Sequence, residues 1–168
     1  MKKKVLASSA FALLLSISCT TTKTYTIQSK SGSDVQGTVA FVQKGKTVSL
    51  DMNVYKLNPN GIHAAHIHEF GDCSAADGST AGGHWNPTSQ AHGKWGHMEH
   101  HSGDLGNLKA DAQGTARLVM NSNKWCIGCK DSTKNIIGKS IIIHAKEDDF
   151  KTQPTGNAGG RIACVEIK

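Results

Sequence analysis

The stretch Val48–Val54 reads VSLDMNV, with Val48, Leu50, Met52 and Val54 alternating against Ser49, Asp51 and Asn53. A period of two puts each set on its own face of an extended chain, so the segment predicts a half-buried β-strand. Just upstream, VQGTVAFVQ carries Val35, Val39 and Phe41 on one parity with Gly37, and Lys44-Gly45-Lys46 separates the two runs. Together they predict a β-hairpin. Further along, NPNG at Asn58–Gly61 predicts a turn, and ADAQG at Ala110–Gly114 precedes the alternation of Ala116, Leu118 and Met120. IIGKSIIIH, ending at His144, and the tail RIACVEIK complete a set of short strands. No segment sustains a helical period. The pattern predicts an all-β sandwich or barrel with six to eight strands and one large functional loop.

That loop runs from Glu69 to Leu105, rich in Gly, His, Asn and Asp and poor in aliphatic residues. Ordering each backbone residue costs about 1–2 kcal/mol, so a loop of this length needs metal ions or a disulfide to hold it. The preceding stretch, GIHAAHIHEFGD, supplies the first ligands. On a strand His66 and His68 share a face and can grip one metal, whereas His63 has the opposite parity. The loop adds His84, His92, His97, His100 and His101, with Asp104 three residues on, and His144 ends the apolar run Ile141–Ile143. A lone histidine is usually a solvated or core residue. All nine of the chain lie between 63 and 144, and that concentration points to metal. Imidazole nitrogen suits copper and zinc; an all-nitrogen set favours copper(II), and three histidines with a carboxylate favour tetrahedral zinc.

The N-terminus predicts export. Met1-Lys2-Lys3-Lys4, an apolar run from Val5 to Ile17 and small residues before Cys19 describe a secretory signal over residues 1–18. The run is too short to span a membrane, which takes about 20 apolar residues. LLLSISC resembles a bacterial lipoprotein signal whose cysteine is lipidated, and Ser16-x-Ser18 also fits an ordinary cleavage site. Cysteine parity favours lipidation, because removing Cys19 from the five leaves Cys73, Cys126, Cys129 and Cys164, an even set suited to an oxidising compartment. Residues 19–24 are then expected to be a lipid-anchored polar tether, followed by a single domain over 25–168. Three of the formal +6 charges are Lys2–Lys4, so the mature chain is only modestly basic. Without a basic run or an aromatic-interleaved patch, nucleic acid is not an expected partner.

The stretches HIHEFGDC, AGGHWNP, HSGDLGN, IIGKSIIIHAKEDD and GNAGGRIAC, in this order and spacing, resemble the copper/zinc superoxide dismutase family over nearly the whole mature length. The resemblance implies a Greek-key β-sandwich or flattened barrel of about eight antiparallel strands with long metal-binding loops. It implies copper on His66, His68, His84 and His144, and zinc on His84, His92, His101 and Asp104, with His84 bridging the two. It assigns Asp148 the carboxylate behind one histidine at each metal, Arg161 the hold on the anionic substrate, and Cys73–Cys164 a disulfide between loop and last strand. The implied reaction is copper-dependent disproportionation of superoxide, with His84 passing a proton to the forming peroxide. The family occurs as monomers and homodimers.

NKWCIGCKDSTKN, Asn123–Asn135, looks inserted relative to that family and holds a Cys-x-x-Cys. A redox pair of that form relies on a helix N-terminus beside a βαβ unit, which an all-β chain lacks. A local Cys126–Cys129 disulfide is the expectation. The competing functional reading is a non-catalytic envelope lipoprotein that stores or delivers copper or zinc, supported by HMEHH at His97–His101 and opposed by Arg161, which such a module would not need.

Overall fold

The computed structural model describes residues 20–168. It contains eight strands: β1 Thr20–Ser29, β2 Gln36–Lys44, β3 Thr47–Tyr55, β4 Ile62–His68, β5 Asp104–Lys109, β6 Ala116–Ser122, β7 Lys139–His144 and β8 Arg161–Ile167. All paired neighbours are antiparallel, in the order β5-β4-β7-β8-β1-β2-β3-β6. The eight strands form a nearly closed barrel, as the sequence led one to expect. The only helical element among the described residues is a single 3-10 turn, Ser79–Ala81.

The hairpin read from the sequence is β2 and β3. Val39 faces Met52 and Phe41 faces Leu50 across it, and all four are fully buried. Alternation thus becomes one wall of the core, continued by Ile141, Ile143, Val165 and Ile167 from β7 and β8. The joint between the walls is β1. Its first eight residues pair with β2, and Gln28 and Ser29 pair with β8.

Two boundaries differ from the sequence reading. Thr20–Thr24, expected to be a tether, belong to β1 and pair in register from Thr20↔Lys44 onward. The β-branched threonines favour the extended state, and the ladder along β2 satisfies their backbone groups. The long loop ends at residue 103, because Asp104 and Leu105 already open β5. The signal segment 1–18 and Cys19 lie outside the described residues.

Beneath the long loop, Ile142 of β7 and Cys164 of β8 pack with Cys73 and Ala81 in a small second cluster. The Cys73–Cys164 disulfide, whose ends lie 91 positions apart in sequence, fastens the loop there. A second disulfide joins Cys126 to Cys129 in the segment between β6 and β7.

Candidate metal centre

The long loop folds back over β4 and β7 and buries a group of histidines against them. Residues 63–68 of β4 are all buried, although the alternation of an ordinary half-buried strand would expose every second one. His63 lies on the parity of the core residues Ala65 and Ile67, and His66 and His68 lie on the other. The loop contributes His84, which bridges to His68 as a short antiparallel pair. His144 arrives from the end of β7. His66, His68, His84 and His144 place one possible ligand atom each within 4.8 Å of one another, and all four are buried.

The nitrogens that converge are identifiable from what they lack. His66 Nδ1, His68 Nε2, His84 Nε2 and His144 Nε2 are buried without a hydrogen-bond partner. A buried polar atom left unpaired costs about 1–3 kcal/mol, and four in one place is a strong signal for a ligand. The opposite nitrogens are all occupied. His66 Nε2 meets Asp148 Oδ2 at 2.8 Å, His68 Nδ1–H donates to the Gly82 carbonyl at 2.9 Å, and His144 Nδ1–H donates to the Gly159 carbonyl at 3.3 Å. These bonds fix tautomer and ring direction, which is what a metal-binding imidazole requires. Burial pushes His68 well below its ordinary value, His84 down to about 4 and His144 down to about 3, so all three present neutral donors.

His84 turns its other face to a second set. Its Nδ1 lies 3.1 Å from Asp104 Oδ1, and His92 Nδ1 and His101 Nδ1 lie 3.1 and 3.2 Å from the same oxygen. His101 Nδ1 is 3.4 Å from His84 Nδ1. A tetrahedral zinc ion with ligands at about 2.0 Å separates them from one another by about 3.3 Å. The donor set and its spacing therefore fit zinc. His66 also comes within 4.8 Å of His84, His92 and Asp104, but its Nε2 is engaged by Asp148, and His101 makes the closer approach to Asp104. The other oxygen of Asp104 accepts backbone N–H bonds from His101 at 2.8 Å and Gly93 at 3.1 Å.

Asp148 links the two sets. One oxygen meets His66 Nε2, and the other meets His92 Nε2 at 2.9 Å. Burial would raise Asp104 and Asp148, yet the histidine contacts hold both well below the usual carboxylate range. Burial lowers His92, but the bonds to Asp104 and Asp148 outweigh it and raise it to about 9. Gly156 leaves room for this arrangement. It has φ +65°, and a Cβ there would stand 1.9 Å from Asp148 Oδ1 and 2.7 Å from His92 Nε2.

Arg161, the first residue of β8, donates from Nη1 to the Gly78 carbonyl and from Nη2 to the Gly82 carbonyl, both at 2.7 Å. With His68, His84 and His144 it lines a cavity of about 170 Å³ that also touches Thr155. A small anion entering there meets a fixed cation and the first histidine set together.

The structure thus gathers His66, His68, His84, His92, His101, His144, Asp104, Asp148 and Arg161 in one place. His97 and the fully exposed Met98 of HMEHH stand outside it. Sequence reasoning missed three supports. His63, given no role, is buried and donates from Nδ1 to the His144 carbonyl at 2.9 Å. Asn107 clasps the backbone of Asp148 through two bonds, at 2.8 and 3.0 Å. The carbonyls of Gly82 and Gly159 orient His68 and His144. Asn107 closes the stretch HSGDLGN and so was visible, but backbone acceptors leave no mark on a sequence.

A family model described as copper/zinc superoxide dismutase matches residues 35–167. A Cu-Zn superoxide dismutase of Paramecium bursaria Chlorella virus 1 is 39% identical over 140 residues, covering 79% of this chain and 72% of that protein. An extracellular Cu-Zn superoxide dismutase of Brugia pahangi is 34% identical over 165 residues, covering 90% and 80%. Among solved structures, a SOD-like protein from Bacillus subtilis superposes with a TM-score of 0.76 at 32% identity, over 86% of this chain and 97% of that one.

Proposed function

The chain belongs to the copper/zinc superoxide dismutase family, and from that premise we infer that it disproportionates superoxide to oxygen and hydrogen peroxide. The observation that carries this reading is the set of four unpartnered buried nitrogens beside the anchored guanidinium of Arg161. A binding module needs the nitrogens but has no use for the cation at the cavity.

His66, His68, His84 and His144 would hold copper, and His84, His92, His101 and Asp104 would hold zinc. Bound copper supplies the one-electron redox chemistry. Arg161, fixed by two carbonyls, attracts superoxide and holds it with fork-like donors. His84 lines the cavity, and its unpartnered Nε2 is the atom suited to take up a proton and hand it to the forming peroxide. Its Nδ1 stays directed at Asp104 and His101, so the ring keeps its position while the proton moves. Asp148 holds His66 and His92 in register with each other.

Residues 1–18 act as an export signal, and Cys19 carries a lipid that holds the protein in the cell envelope. Two disulfides and an extracellular relative support the exported part of this reading. The deciding experiment is a superoxide-removal assay on the metal-loaded protein with a metal count. One copper and one zinc per chain with fast removal is expected, whereas both metals without removal would establish the storage or delivery reading. Mass spectrometry of the envelope fraction should find a lipid on Cys19; an unmodified Cys19 disposes of the anchor.

A further inference from the structure

The segment 123–135, which no step of the reaction uses, packs on the stretch of loop that carries His101. Trp125 is only 1% exposed, and its Nε1–H donates to the Ser102 carbonyl at 3.0 Å. Lys124 Nζ donates to His100 Nε2 at 3.0 Å. That leaves the proton of His100 on Nδ1, from which it is donated to the His101 carbonyl at 2.8 Å. Trp95 fills the space between, its ring 4.7 Å from that of His100 and 5.0 Å from that of Trp125. The carbonyls of His101 and Ser102 therefore each accept a side-chain donor, His100 and Trp125 respectively.

The segment is itself fixed to the barrel. Ile127 N–H donates to Gln43 Oε1 at 2.7 Å, the backbone of Cys126 bonds to Lys134 and Ile136, and the Cys126–Cys129 disulfide closes the turn. His101 needs such help more than its neighbours. His92 is oriented by Asp148 through its second nitrogen, and Asp104 by two backbone amides. Among the described residues, the ring of His101 bonds only to Asp104 and His84, on the metal side.

We propose that segment 123–135 is a brace for the zinc half of the site. Trp125 and His100 are positioning residues: they fix the backbone of His101 and so slow the release of zinc, leaving the copper set untouched. The inference rests on the assignment of zinc to His84, His92, His101 and Asp104.

The test follows zinc and copper release into a chelator from the fully loaded chain. Trp125→Phe keeps an aromatic ring but loses the donor to Ser102, and His100→Phe keeps the stack on Trp95 but loses both bonds. Each should release zinc about tenfold faster, within the range for groups that orient metal ligands, with copper release and the copper visible band unchanged. Cys126→Ser with Cys129→Ser should have the same direction and a smaller size, about threefold. Val39→Ala, in the far wall of the core, serves as the control for general destabilisation and should leave zinc release unchanged. The brace is overturned if both aromatic variants release zinc at the wild-type rate, if Val39→Ala speeds release equally, or if copper release accelerates in step. A wild-type chain that binds copper and no zinc overturns the zinc assignment itself, and the brace with it.

Discussion

Arg161 and His68 share one acceptor: the Gly82 carbonyl receives Nη2–H of Arg161 at 2.7 Å and Nδ1–H of His68 at 2.9 Å. The cation proposed to meet substrate and an imidazole proposed to hold copper are thus placed by the same atom. That atom sits on the loop which the Cys73–Cys164 bond fastens to β8. Substrate position and ligand position cannot drift independently.

Replacing Arg161 by glutamate should leave both metals bound, because no metal-facing nitrogen contacts the guanidinium. It should lower kcat/KM by about a hundredfold, since a fixed negative charge at the cavity repels superoxide at short range. The decline of rate with added salt should also weaken. Unchanged kinetics in a fully metallated variant would remove Arg161 from the mechanism.

Asp148 touches a histidine of each set, so Asp148→Ala should weaken both metals together. A loss of about 10–100-fold in affinity is expected for each, because the rings of His66 and His92 lose the partner that orients them. Competition with a chelator, read separately for copper and zinc, checks this. A loss confined to one metal would break the link drawn between the sets.

Freed of metal, the histidines set the pH range of stability. His84 and His144, buried and lowered to about 4 and about 3, return to 6.5 on unfolding. Below pH 6.5 the unfolded chain therefore binds protons that the folded one refuses, and their contribution is lost as pH falls towards those values. His92, raised to about 9, has the opposite sign: its contribution is complete below 6.5 and is lost as pH rises through about 9. The metal-free protein should have its highest Tm close to pH 6.5. Thermal melts of chelated protein across this range test it, and a flat profile on the acid side would contradict the burial argument.

The double change Cys73→Ser, Cys164→Ser should cost about 4–5 kcal/mol on the chain-entropy estimate for so long a loop. It should also reduce turnover, because Gly82 loses its tether to β8. Denaturant unfolding gives the first number and a rate at matched metal content gives the second. By contrast, Cys126 and Cys129 lie three apart in sequence, and removing that bond should cost about 2 kcal/mol and leave turnover intact.

Much of this was legible beforehand for a physical reason. Burial on one face writes a period of two into β2 and β3, which marks Val39 and Leu50, and potential metal ligands come from a short list of side chains, so His66 and Asp104, which the structure gathers with other donors, stand out in the sequence. What could not be read was carried by atoms that every residue possesses. The carbonyls of Gly82, Gly159 and Ser102 orient a ring, a ligand and an indole, and no side chain marks them. Thr20–Thr24 read as a tether because they bury little; their place in β1 comes from pairing with β2, a contact the local sequence does not encode.

The order of the strands also sets a clock. Among the described residues β8 is the strand that links β7 to β1, and it brings both Arg161 and Cys164. Until it arrives, β4 and β7 can align His66, His68 and His144, but the loop has no anchor and the barrel no closure. Because Gln28 and Ser29 of β1 pair with Cys164 and Ala163 of β8, the contact that joins the two walls spans well over a hundred residues of sequence, the kind of long-range pairing that forms slowly.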